Sequence, residues 1–202
     1  MSVLTFFNIF IAIVLWNIIF SSFGKRGMLY CGMVGFSGAS DFDLNKIKIL
    51  LLSNMTRGVH STGIWNRGLI HKQAGNAIEF LANSKIKPSK LFMGHDRHAT
   101  IGNKGESKNA HPFRYGDIVG QHNGTLRNHW QLARANGKEM KDFDVDSQVM
   151  FHLINEDQEN LKVLYEFEGA AALIWVNANF PNRLYCFRNA ERPLFRGMVD
   201  GN

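Results

Sequence analysis

The 202-residue sequence predicts an α+β fold built in layers. Three observations carry this. Short apolar runs bounded by turn residues mark strands, and other stretches place apolar residues at helical spacing. The broad order is strands, then helices, then strands, which does not fit the strict alternation of a parallel βαβ fold. No internal repeat, low-complexity stretch or Pro-rich linker divides the chain after Leu29.

In chain order, Leu29–Phe36 is an apolar run ending in glycine-rich residues, which predicts a strand and a turn. Between Asp43 and Met55, Leu44, Ile47, Leu51 and Met55 share one helical face; Ser40 or Asp41 can cap the start, and Gly58 lies just past the end. Residues 63–66 and 69–74 predict two strands around a turn at Arg67-Gly68, and 91–95 and 118–121 two further short strands. Residues 128–136 and 147–155 have helical character. Residues 170–176 and 184–188 predict a late hairpin pair joined through Asn179-Phe180-Pro181-Asn182.

Residues 1–30 stand apart from residues 31–202. Val3–Phe20 is an uncharged run of 18 residues, against the roughly 17–25 a membrane helix needs. Lys25 and Arg26 follow it and no positive charge precedes it, which is the wrong polarity for a secretory signal. Three readings stay open: a membrane segment, a removable leader, or upstream sequence before a start at Met28. A spanning segment with these flanks would leave the main domain in the cytoplasm. Two cysteines, Cys31 and Cys186, define neither a disulfide framework nor a zinc pattern, in keeping with a reducing compartment. The formal charge of +6 is scattered rather than concentrated in a basic run, so no nucleic-acid partner is expected.

Four clusters bear chemistry, and each alone has an ordinary structural explanation. Cys31-Gly32-Met33-Val34-Gly35-Phe36 offers a thiol, a better nucleophile than a hydroxyl near neutral pH, with glycines that let a substrate approach the backbone. A buried structural cysteine is the plain alternative. Gly94-His95-Asp96-Arg97-His98-Ala99-Thr100-Ile101-Gly102 follows a strand and carries Arg97, whose planar fork suits a carboxylate; a surface ion pair is the alternative. Its His95–His98 spacing does not suit a helical metal pair. Asn109-Ala110-His111-Pro112-Phe113 precedes Gln121-His122-Asn123-Gly124-Thr125. Asn-Gly after a strand is ordinarily a turn, yet an Asn amide and a Gly N–H can also meet one oxyanion. Asp146-Ser147-Gln148-Val149 opens a helix, where Asp can cap or hold an ammonium.

Taken together and in order, these segments and Arg57-Gly58-Val59-His60-Ser61-Thr62-Gly63-Ile64 resemble class II glutamine amidotransferases, in particular the glutaminase domain of glucosamine-6-phosphate synthase. The resemblance runs from Cys31 to Asn202. It implies the four-layer αββα sandwich of the N-terminal-nucleophile hydrolases. It implies that Cys31 attacks the side-chain amide of L-glutamine, with its own α-amino group as base, and that a thioester then yields glutamate and ammonia. Asn123 and the backbone of Gly124 would form the oxyanion hole. Arg97 would take the substrate's α-carboxylate and Asp146 its α-ammonium. Thr100 and His111 would line the pocket, and Arg57 would sit on a loop closing near the nucleophile. No metal or organic cofactor is implied.

The chain departs from the family at His60, where Asp is frequent, and at Ile101, where His is frequent. Cys31 is also internal, so the implied base requires removal of residues 1–30. Arg192–Asn202 resembles a hairpin after which relatives continue, so a C-terminal truncation, or a partner carrying the ammonia acceptor, is expected. Two other functions stay open: an amidohydrolase of the same type acting on another amide, and a binding or regulatory domain that keeps the pocket without catalysis.

Overall fold

A computed structural model describes residues 31–99, 103, 105–180 and 182–198, and the backbone of 4–6 and 9–12. Two five-stranded antiparallel sheets organise the chain. The first runs β2 (Ile9–Ala12), β3 (Gly32–Ser37), β6 (Leu91–Arg97), β4 (Ser61–Asn66), β5 (Leu69–Ala74). The second runs β1 (Leu4–Phe6), β10 (Leu184–Arg188), β9 (Gly169–Asn177), β8 (Ile118–Leu126), β7 (Phe113–Tyr115).

Period-two burial assembles the layers. On β9, Ala172, Ile174 and Val176 join Met33, Leu91 and Met93 of the first sheet in the core between the sheets. Their neighbours Ala171, Leu173 and Trp175 point the other way. They pack with Leu132 of α3 (His129–Ala135) and with Val149, Met150 and Leu153 of α4 (Asp146–Glu156). On the far side, Val34, Ile64 and Phe92 pack with Ile47 and Leu51 of α1 (Leu44–Asn54) and with Phe80 of α2 (Ala77–Asn83). Helices, sheet, sheet and helices form four layers. Full burial of a Leu, Ile or Phe stabilises by about 1.5–3 kcal/mol, so these three apolar interfaces drive assembly.

Several local expectations change. α1 is capped by Asp43, whose carboxylate accepts from the amides of Asn45 and Lys46, rather than by Ser40 or Asp41. β6 runs on to Arg97, and β8 runs on through His122-Asn123-Gly124 to Leu126. The Asn-Gly pair is therefore strand, held by pairing of Asn123 with Ala172 and Gly124 with Ala171. α2 and β7 are elements the sequence pattern does not announce: α2 has seven residues and β7 three, too few to show a period. Residues 191–198 form no continuous strand, and the rest of the expected terminal hairpin, 199–202, lies outside the described residues, as do most of 1–30. Residues 4–6 and 9–12 add one edge strand to each sheet. Among the described residues no helix is long and apolar enough to cross a membrane.

Candidate active site

Cys31, Arg97, His111, Gly124 and Asp146, all singled out in the sequence, converge where β3 begins and where β6 and β8 end. Cys31 sits immediately before β3. The His98 amide donates to Cys31 Sγ at 3.3 Å, and the thiol points back at the His98 carbonyl at 3.4 Å. Arg57, just past α1, donates from Nε to the Cys31 carbonyl at 3.0 Å. The loop carrying Arg57 lies close against β6 because residue 58 is glycine: a Cβ there would fall 2.5 Å from the Asp96 carbonyl oxygen.

A small cavity is lined by Cys31, Arg97, Gly124 and Asp146, with His98, His111, His122 and Ser147 among its other walls. Its volume is about 20 Å³, room for about one water, so a larger molecule enters only if the walls part. Burial pushes the Cys31 thiol up to about 11, against the opposing pull of the His98 backbone contact and the Arg97 charge. A thiol so enclosed needs a proton acceptor beside it to react near neutral pH.

Asp146 is the first residue of α4, one position inside the cap, so the simple N-cap explanation does not hold. Its Oδ2 accepts from the Leu126 amide at 2.7 Å and its Oδ1 from the Ser147 amide at 2.9 Å. Each carboxylate oxygen retains a lone pair for a further donor. The helix start is tied instead by Gln148, whose Oε1 accepts from the amides of Asp144 and Val145. Asn123 is buried, on the same face of β8 as Gln121, which reaches across the sandwich to the Val34 carbonyl. Gly124 has φ +150°, and a Cβ there would meet the Ala170 carbonyl oxygen at 1.8 Å, so only glycine fits.

His111 and His122 line the cavity, and His95 lies against His111. His95 and His111 stack with ring centroids 4.1 Å apart, and His122 stands edge-on to His111 at 6.5 Å. His122 Nε2 lies 3.1 Å from the Ala170 carbonyl, which can only accept. The neutral ring therefore carries its proton on Nε2, and Nδ1 accepts from the Ser147 hydroxyl at 2.9 Å. By the same reasoning His95 donates from Nε2 to the His122 carbonyl at 3.0 Å. Burial pushes His95 down to about 3 and depresses His111 and His122 as well, so the cluster is uncharged near neutral pH. His122 and Ser147 stand in the sequence directly beside Asn123 and Asp146, which is the one signal for them, and the fold places both in the cavity wall. Thr100 falls outside the described residues. Among the described residues no group of three or more His, Cys, Asp or Glu side chains is placed to hold a metal ion.

No family model matches the chain. Curated relatives do. The glutamine–fructose-6-phosphate aminotransferase (isomerizing) of Thermococcus kodakarensis is 38% identical over 121 residues, 54% of this chain and 20% of the relative. Proteins of the same name from Legionella pneumophila (strain Paris) and Zymomonas mobilis are 30% and 29% identical, each over 85% of this chain and 31% and 30% of the relative. Among solved structures, the glutamine phosphoribosylpyrophosphate amidotransferase from B. subtilis, complexed with ADP and GMP, superposes with a TM-score of 0.56 at 25% identity, over 72% of this chain and 35% of that one.

The chain is a relative of the class II glutamine amidotransferases.

It spans less than a third of the length of these curated relatives. The amidotransferase likeness agrees with the four-layer α+β sandwich.

Proposed function

We propose that this domain hydrolyses the side-chain amide of L-glutamine and supplies ammonia to an acceptor held by another domain or partner. The observation that carries the reading is the shared wall of one cavity: thiol, guanidinium, carboxylate and a half-buried glycine near the end of β8 around a single small space. A free amino acid has a carboxylate and an ammonium, and Arg97 and Asp146 match them in charge. Glutamine then extends its amide toward Cys31. The sulfur attacks the amide carbon, and the Cys31 α-amine, freed by cleavage after Tyr30, takes the thiol proton. The Asn123 amide and the Gly124 N–H receive the developing oxyanion. The proton passes to the leaving nitrogen, ammonia departs, and water hydrolyses the thioester to glutamate and free thiol. His111 braces the pocket wall through its stack on His95, and Arg57 fixes the nucleophile's own carbonyl. The reaction as written requires no metal or organic cofactor.

The aminotransferase names of the relatives make a sugar phosphate the first acceptor to try. The decisive experiment compares protein beginning at Cys31 with its Cys31→Ala variant. The parent should release ammonia from glutamine and the variant should not. Equal hydrolysis by both would mean that the nucleophile lies elsewhere.

A further inference from the structure

At the opposite end of the sandwich lies a second and much larger space. β6 enters the candidate active site at Arg97 and starts, six residues earlier, at Leu91, so about 20 Å of strand separates the two ends. The gap between the sheets at the Leu91 end holds a cavity of about 440 Å³. That lies within the range of small-molecule sites and far above the space a single water needs.

Its chemistry is divided. The walls are apolar: Trp65 from β4, Leu91 from β6, and Val119 and Val176 from β8 and β9. All four also border the core between the sheets, so the cavity is an open continuation of that core. The rim is cationic. Arg67 stands at the tight β4–β5 turn with φ +53°, Lys90 just before β6, and Arg114 on β7. All three are exposed, and among the described residues none is drawn into an ion pair. Arg114 donates from one terminal nitrogen to the Gly68 carbonyl at 3.0 Å, which holds its guanidinium at the mouth. The single carboxylate of the lining, Asp117, has its Oδ2 taken by the Asn179 side chain at 2.9 Å. Three positive charges therefore surround an apolar recess whose one negative charge is partly engaged.

We propose that this end of the sandwich binds a small amphiphilic anion, with an apolar body seated between the sheets and one carboxylate, phosphate or sulfonate held by Arg67, Lys90 and Arg114. The two parts support each other. Apolar walls desolvate the body, and a cation fork at the mouth fixes its direction and rejects uncharged or cationic analogues. The site is independent of the glutaminase reading, because none of its residues touches the Cys31 cavity.

The probe is 1-anilinonaphthalene-8-sulfonate, an aromatic body with one sulfonate, titrated into the full chain by fluorescence. Its uncharged counterpart, N-phenyl-1-naphthylamine, is titrated in parallel. One saturable site per chain is expected, with the sulfonate binding about tenfold or more tighter than the neutral probe. The surface double variant Arg67→Glu/Lys90→Glu should weaken the sulfonate about tenfold or more and leave the neutral probe unchanged. Ala178→Trp, at an exposed position on the mouth, should weaken both by obstruction. Cooperative melting of each variant verifies folding. Non-saturable binding, equal affinity for the two probes, or full sulfonate affinity in both variants would overturn the proposal.

Discussion

The His98 amide and the Cys31 sulfur are 3.3 Å apart, a contact between residues 67 positions distant that closes β6 over the start of β3. The contact favours thiolate, yet burial dominates and leaves the thiol near 11. While the α-nitrogen of Cys31 remains an amide, alkylation of Cys31 by iodoacetamide should therefore accelerate about tenfold per pH unit up to about pH 10. Once the chain starts at Cys31, the profile should gain an inflection near the α-amine range of about 7.7–8.0. Rate profiles of the two forms, resolved by peptide mass mapping, test this; identical profiles would exclude the α-amine as base.

Maturation follows from the same point. Full-length protein should have little or no glutaminase activity, because acylation of the Cys31 α-nitrogen removes the proposed base. N-terminal sequencing alongside ammonia release decides it. Activity in protein that still begins at Met1 would turn attention to His95, His98 and His111.

Charge matching makes Arg97→Ala and Asp146→Ala raise KM for glutamine, each by a loss on the order of 1.5–3 kcal/mol, or roughly 10- to 150-fold. The two should differ in stability. Asp146→Ala also strips the buried Leu126 amide of its acceptor, which costs about 1–3 kcal/mol and should lower Tm. Asn123→Ala should instead lower kcat, since its donor matters most when the oxyanion forms. Steady-state kinetics and calorimetry on the three variants separate these effects, and normal turnover in Asn123→Ala would remove that residue from the mechanism.

Gly124→Ala should fail structurally before it fails chemically. Its Cβ would overlap the Ala170 carbonyl oxygen and press on His122 Nε2 at 2.8 Å. The end of β8 would have to separate from β9, at a cost on the order of 3 kcal/mol or more in the range of severe core lesions. A chemical denaturation midpoint equal to that of the parent would contradict this.

Buried titratable groups set opposing pH slopes. His95 has a folded pKa of about 3, below its unfolded 6.5, so stability falls as pH drops from 6.5 toward 3, by about 1.4 kcal/mol per unit. His111 and His122 add the same sign. Asp96 is the reverse: burial raises it to about 8, opposed by one hydrogen bond from Thr62 at 2.8 Å, so it removes stability as pH rises from 3.8 toward 8. Asp96→Asn keeps an acceptor for Thr62 and should stabilise by a few kcal/mol, on the order expected from such a shift, at pH 7.5 and by almost nothing at pH 3.5. Urea midpoints across that range provide the measurement; a pH-independent difference would mean that Asp96 does not titrate within the fold.

Much of this was legible in the residues. Short apolar runs bounded by turn residues located β4, β5, β6, β9 and β10, and the spacing of Leu44, Ile47 and Leu51 located α1, because burying one face of a helix imposes a period on the sequence. Cys31, Arg97, Gly124, His111 and Asp146 stand out in the sequence motifs, and the fold brings all five to one cavity. The pattern failed where local chemistry pointed the wrong way. Asn123-Gly124 reads as a turn, and only cross-strand pairing with Ala171 and Ala172 makes it strand.

The sequence by itself thus determined the α+β layering, the segments that bear chemistry and their order along the chain. The tertiary structure alone decided which side chains meet. The His95–His111 stack, the Ser147–His122–Ala170 chain of hydrogen bonds and the cation-rimmed cavity join residues from separate elements. Such contacts leave no periodic trace, because they depend on how two twisted sheets and their helices pack, and not on the conformational preference of any one segment.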